Sequence, residues 1–81
     1  MKVTLKFFAS LREICGRQAD TFELPEGQTV GELRDKTVER YPDLEGIIEM
    51  TLPVVNMKYV EHDRVLEDGD DITFIPPVSG G

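Results

Sequence analysis

Residues 29–41 read TVGELRDKTVERY, and Pro42 follows. Thr29-Val30-Gly31-Glu32 has the form of a capping box. The threonine hydroxyl can accept from the amide three residues on, and the glutamate carboxylate can reach back to the threonine amide. Val30, Leu33, Thr37, Val38 and Tyr41 then recur at the spacing of one helix face. Pro42 ends the helix near Tyr41, because proline disfavours a helical conformation in the residue before it. Glu32 and Lys36 lie four apart on the outer side, where they can pair. Gly31 in the first turn costs up to about 1 kcal/mol relative to alanine, which close packing of the helix on a sheet would explain.

The segments on either side alternate with a period of two. In residues 2–9, KVTLKFFA, Val3, Leu5 and Phe7 point one way and Lys2, Thr4, Lys6 and Phe8 the other. That is a half-buried strand, with Phe8 an aromatic on its polar face. Ser10-Leu11-Arg12-Glu13 reads as a second capping box, with Gly16 as the stop of a helix of one or two turns. Residues 19–24 form a strand with Phe22 and Leu24 inward, closed by the turn Pro25-Glu26-Gly27. After the long helix, residues 43–52 allow a short helix around Ile47-Ile48. Pro53 opens a strand running from Val54 to about Tyr59. Glu61-His62-Asp63 is a polar turn, Val65-Leu66 a very short strand, and Glu67-Asp68-Gly69-Asp70 a tight turn. Residues 71–75, DITFI, form the last strand, with Ile72 and Phe74 inward and Asp71, Thr73 and Ile75 outward. One main helix among several strands predicts an α+β sheet with the helix on one face.

The chain has 81 residues, 40% of them hydrophobic and 31% charged, enough for one layered domain. The expected division is a folded domain over residues 1–75 and an extended tail over 76–81. A net charge of −7 repels phosphate backbones and disfavours nucleic-acid binding. It favours basic partner surfaces instead. The single cysteine, Cys15, excludes an internal disulfide. No signal-peptide pattern and no stretch of membrane-spanning length stands out, so no membrane association and a cytoplasmic location are the expectations.

Little in the chain can perform chemistry. Nucleophilic catalysis needs a nucleophile, a base and an orienting group in contact. The only thiol is Cys15 and the only imidazole is His62. One cysteine and one histidine cannot build a zinc site, and an iron–sulfur cluster needs about four thiolates. Six carboxylates fall between Glu61 and Asp71, but Val65-Leu66 interrupts them and the calcium-loop spacing is absent. No metal site is expected. No phosphate-binding loop is present, so no cofactor is expected to bind, and any use of ATP would fall to a partner.

The tail remains: Pro76-Pro77-Val78-Ser79-Gly80-Gly81. Pro76-Pro77 fixes φ and favours extended backbone. Residues 77–81 can reach on the order of 17 Å from the domain. Val78, Ser79 and above all the side-chain-free Gly80 make a slim stem suited to threading into another protein's active site. Gly81 carries the carboxylate. A carboxylate resists nucleophiles, but its anhydride with AMP is readily attacked. Sulfur attack gives a thiocarboxylate, and attack by a lysine amine gives an isopeptide.

The chain resembles the MoaD family, the small sulfur-carrier subunits of molybdopterin synthase. The resemblance is carried by Phe7-Phe8-Ala9, Leu11-Arg12-Glu13 and Gly16, by Val30 and Leu33, by Val55-Asn56, by Leu66, Asp68-Gly69-Asp70, and by the closing Pro76 to Gly81 motif. Ile75 departs from it, standing where relatives usually carry an aromatic. The resemblance implies a ubiquitin-like β-grasp fold of about five strands on one helix, with first and last strands parallel and adjacent. It implies that an activating enzyme adenylates Gly81 using ATP and that a sulfur donor protein converts it to a thiocarboxylate. The tail then enters the large subunit of molybdopterin synthase and donates sulfur to a pterin precursor. The chain would thus be the sulfur-donating subunit of a sulfurtransferase complex, not catalytic alone.

On that fold, Phe8, Ile75, Pro76 and Pro77 are expected to form an apolar patch at the base of the tail that docks partners, unless residues 43–52 fold over it. The other readings are a carrier for thiamine thiazole synthesis, a protein modifier joined to lysines through Gly81, and an interaction domain with an idle tail.

Overall fold

The computed structural model describes residues 1–76. Pro77, Val78, Ser79, Gly80 and Gly81, and with them nearly all of the expected tail, lie outside the described residues. Along the chain run β1 (Lys2–Phe7), α1 (Ser10–Cys15), β2 (Ala19–Glu23), α2 (Val30–Arg40), a 3₁₀ turn (Pro42–Leu44), α3 (Glu45–Ile48), β3 (Leu52–Val55), β4 (Lys58–Tyr59) and β5 (Asp71–Ile75). The strands form one mixed sheet in the order β2-β1-β5-β3-β4. β1 and β5 are parallel neighbours, with Leu5 opposite Ile72 and Phe7 opposite Phe74. The other pairings are antiparallel. This is the expected α+β, ubiquitin-like β-grasp arrangement.

The alternation in the strands decides which face is closed. Val3, Leu5 and Phe7 of β1, Phe22 of β2, Val55 of β3, and Ile72 and Phe74 of β5 are all buried. They join Val30 and Leu33 of α2, and Leu11, Leu44 and Ile48 from the shorter helical pieces, in one core. Burial of each such side chain is favourable by about 1.5–3 kcal/mol. Val38 and Tyr41 pack at its margin. Thr37 on the same stripe is fully buried, and its hydroxyl donates to the Leu33 carbonyl at 2.8 Å.

The capping box of α2 is present in both directions. Glu32 N–H donates to Thr29 Oγ1 at 3.3 Å, and Thr29 N–H donates to Glu32 Oε1 at 3.1 Å. Glu32 is therefore committed to the cap, and among the described residues no ion pair joins it to Lys36. Gly31 is explained by a loop rather than by the sheet. Its N–H donates to the His62 carbonyl at 2.8 Å, and a Cβ there would meet that same oxygen at 3.3 Å.

Three further local expectations fail. Ser10 does not cap α1: Ala9 holds the N-cap position at φ 48, ψ −116, with no side-chain cap bond. Leu11 N–H donates to the Phe8 carbonyl at 3.1 Å, so the chain leaves β1 by a tight turn that carries Ser10 inside the helix. Gly16 ends α1 as expected, at φ 74 with its N–H on the Arg12 carbonyl. The strand expected from Val54 to Tyr59 is instead a hairpin of β3 and β4. Asn56 and Met57 take φ 50 and 71, the two positive values of a type I′ turn. Val54 and Tyr59 become partners across it. Val65 contributes only an isolated bridge to Thr29.

Candidate functional site

The helices cover one face of the sheet and leave the other open. Strand parity puts Thr4 and Lys6 of β1, Asp71, Thr73 and Ile75 of β5, and Leu52 and Val54 of β3 on that open face, with Tyr59 of β4 beside Val54. A hollow of about 480 Å³ lies there, lined by Lys6, Phe8, Val54, Met57, Tyr59, Asp71, Thr73 and Ile75. Phe8 is 52% exposed, Leu52 51%, Tyr59 68% and Met57 94%. An apolar grouping of this kind is a candidate binding surface.

Phe8 and Ile75 are thus brought together, as expected. Pro76, half-buried, follows directly on Ile75 at the root of the tail. Residues 43–52 do not cover them. The 3₁₀ turn packs against α1 and α2, and this segment buries Leu44 and Ile48 in the core. Its last residue, Leu52, pairs with Ile75 and widens the patch. The sequence reading missed Leu52, Val54, Met57 and Tyr59. A continuous strand would set Val54 and Tyr59 on opposite faces; the turn at Asn56-Met57 sets them on the same one. Asn56, a residue that tolerates positive φ, was the available signal.

One ion pair interrupts the apolar surface. Lys6 Nζ stands 2.8 Å from Asp71 Oδ2, in the hollow.

The residues weighed for catalysis are not assembled into a site. The thiol of Cys15 donates to backbone carbonyls, that of Arg17 at 3.6 Å and that of Arg12 at 4.0 Å, and Cys15 packs against the core. His62 is exposed in its turn. Among the described residues no group of histidine, cysteine and carboxylate side chains could hold a metal ion.

Two carboxylates instead hold the fold in shape. Asp70, at the foot of β5, accepts from Arg64 Nη1, Glu67 N–H and Asn56 Nδ2 at 2.8, 2.8 and 2.9 Å. Burial alone raises its pKa, but these donors outweigh that and hold it below the ordinary 3.8. Asp20 on β2 accepts from Tyr41 Oη at 2.6 Å and Arg40 Nη1 at 3.0 Å, tying α2 to the sheet edge. Burial again raises its pKa, and the bonds from Tyr41, Arg40 and the Thr21 amide bring it below the ordinary value. Burial and then Asp20 push the Tyr41 hydroxyl up. The Arg40 guanidinium lies 3.9 Å over the Phe22 ring.

The chain is similar to known proteins along nearly its whole length. The ThiS family model matches residues 5–81. The molybdopterin synthase sulfur carrier subunit of Chlamydomonas reinhardtii is 32% identical, with all of both chains covered. A putative molybdopterin converting factor subunit 1 from Pyrococcus furiosus superposes with a TM-score of 0.87 at 32% identity, covering 95% of this chain and 98% of that one. The crystal structure of SAMP1 from Haloferax volcanii superposes with a TM-score of 0.90 at 26% identity, covering all of both chains. Among the described residues no helix is long and apolar enough to cross a membrane.

Proposed function

Since this chain belongs to the ThiS family, we propose that it is the sulfur-carrier subunit of a molybdopterin synthase. The observation that carries this reading is similarity along the whole chain to a protein named for that role, continuing through the Gly80-Gly81 end. The open apolar face at the root of the tail supports it, because a carrier must present its terminus to several proteins in turn.

In this reading Gly81 supplies the reactive group and the partners supply the catalysts. An activating enzyme joins the Gly81 carboxylate to AMP from ATP, releasing pyrophosphate. Sulfur at the sulfide level, supplied by a donor protein, attacks the acyl carbon and AMP leaves, giving the thiocarboxylate. Val78, Ser79 and Gly80 thread the large subunit's channel, and the thiocarboxylate gives its sulfur to the pterin precursor. Phe8, Ile75, Pro76 and Pro77 dock the partner, and the hollow between β1, β5 and the β3–β4 hairpin extends that surface. The chain itself binds no cofactor. Its site of action is the cytoplasm, where ATP is at hand for the activating enzyme.

Restoration of molybdopterin synthesis in cells lacking their own carrier tests this. The full chain restores it, and a chain lacking Gly81 does not, although its unfolding midpoint is unchanged. Equal restoration by both contradicts the reading. A second reading, a protein modifier joined to lysines through Gly81, is favoured by the superposition, with a TM-score of 0.82 at 26% identity, on the small archaeal modifier protein 1 (SAMP1) from Methanosarcina acetivorans. Conjugates that appear on lysines of other proteins only when Gly81 is present would establish it.

A further inference from the structure

The open face is apolar around an ionic centre. Lys6 of β1 and Asp71 of β5 pair at 2.8 Å in the hollow walled by Phe8, Val54, Tyr59 and Ile75. Their side chains are 59% and 41% exposed, so water serves the ammonium donors that the pair leaves over. Such a pair adds little to stability in the free chain.

A partner that covers the face changes this. An ammonium has three donors, and Asp71 uses one of those on Lys6. The others lose water on docking. Asp71 Oδ1 is already buried and has no hydrogen-bond partner among the described residues, so Lys6 is the group that can still take a new contact. Removing an ion pair from water is costly unless its free donors find acceptors. The charge of the acceptor follows from the pair's neutrality. A partner carboxylate would leave two anions sharing one cation, in a chain already at −7. A carbonyl oxygen takes one of the two remaining donors and keeps the centre neutral. A second copy of this chain is a poor occupant, since it would bring its own −7.

We infer that Lys6 and Asp71 determine the specificity of the docking face, and that the large subunit sets an uncharged carbonyl oxygen, framed by apolar side chains, over Lys6 Nζ. The inference rests on the docking reading given above. It makes the pair a filter. A wholly apolar surface strips Lys6 of water and returns nothing, whereas a surface with the carbonyl in place is accepted.

Calorimetric titration with the large subunit tests it, using the unaltered chain, Phe8→Ala, Lys6→Met, and Lys6→Met combined with Asp71→Asn. Lys6→Met leaves Asp71 buried and unpaired on docking and weakens binding by about tenfold or more. Adding Asp71→Asn restores the affinity to within about threefold. The double variant keeps the net charge, so it and the unaltered chain share one salt dependence if the acceptor is uncharged. A steeper salt dependence in the unaltered chain would mean a carboxylate acceptor and overturn the carbonyl assignment. Normal binding by Lys6→Met alongside weak binding by Phe8→Ala would overturn the inference alone. Normal binding by Phe8→Ala would overturn the docking reading itself.

Discussion

Phe7 and Phe74 are register partners across the parallel pair β1–β5, and both are buried. Because the strands run the same way, their next residues, Phe8 and Ile75, lie at the same end of the sheet and on the opposite face. One register thus places the exposed aromatic beside the root of the tail. Phe7 and Phe8 should accordingly respond differently to the same substitution. Phe7→Ala is expected to cost about 3–5 kcal/mol of folding stability through the cavity it leaves. Phe8→Ala should change stability by no more than about 0.5 kcal/mol and weaken binding to the large subunit. Denaturant unfolding and calorimetric titration of the two variants check the contrast.

Met57 occupies the second positive-φ position of the β3–β4 turn and is 94% exposed. Glycine adopts that backbone without a Cβ clash, and little packing is lost. Met57→Gly should therefore raise stability by about 0.5–1 kcal/mol, measurable as a higher unfolding midpoint in urea.

Asp70 gathers Arg64, Asn56 and the Glu67 amide around one nearly buried carboxylate. Its folded pKa lies below the ordinary 3.8. Its stabilising contribution is thus fully present above the ordinary value and fades as pH falls through the depressed one. Asp70→Ala should cost about 2 kcal/mol at neutral pH. The gap to the unaltered chain should narrow as the medium is acidified below 3.8, which parallel denaturation curves at neutral and acid pH would reveal.

Gly31 is backed by the His62 carbonyl, which also accepts its N–H. Alanine would be the better helix former by about 1 kcal/mol, but the added carbon presses on an oxygen held by that hydrogen bond. Gly31→Ala should lower stability by about 1 kcal/mol rather than raise it. Thermal unfolding decides the sign.

Much of this fold can be read from local pattern. The alternation of Val3, Leu5 and Phe7, the Thr29–Glu32 box and the stop at Pro42 each depend on residues close together in the chain, and each appears as expected. Positive φ at residue types that disfavour it was not legible, although Asn56 offered a signal for the hairpin turn. Ala9 at the N-cap of α1 and Met57 in the hairpin turn both take positive φ that their residue types disfavour. The hairpin error hid half of the open face, since Tyr59 joins Val54 only across that turn. Contacts between distant segments were equally out of reach. Neither the Lys6–Asp71 pair nor the donors around Asp70 leave any periodic trace. Phe8 and Ile75 could be set side by side only because the family resemblance supplied the parallel pairing of β1 and β5.

Gly81 is the group proposed to carry sulfur. The most direct test is the intact mass of the chain after incubation with its activating enzyme, ATP and a sulfur donor. A mass gain equal to replacement of one oxygen by sulfur is expected, located at Gly81 and absent when ATP is withheld. A chain that keeps its plain carboxylate while the enzyme is demonstrably active, or that acquires sulfur at Cys15 instead, would contradict it.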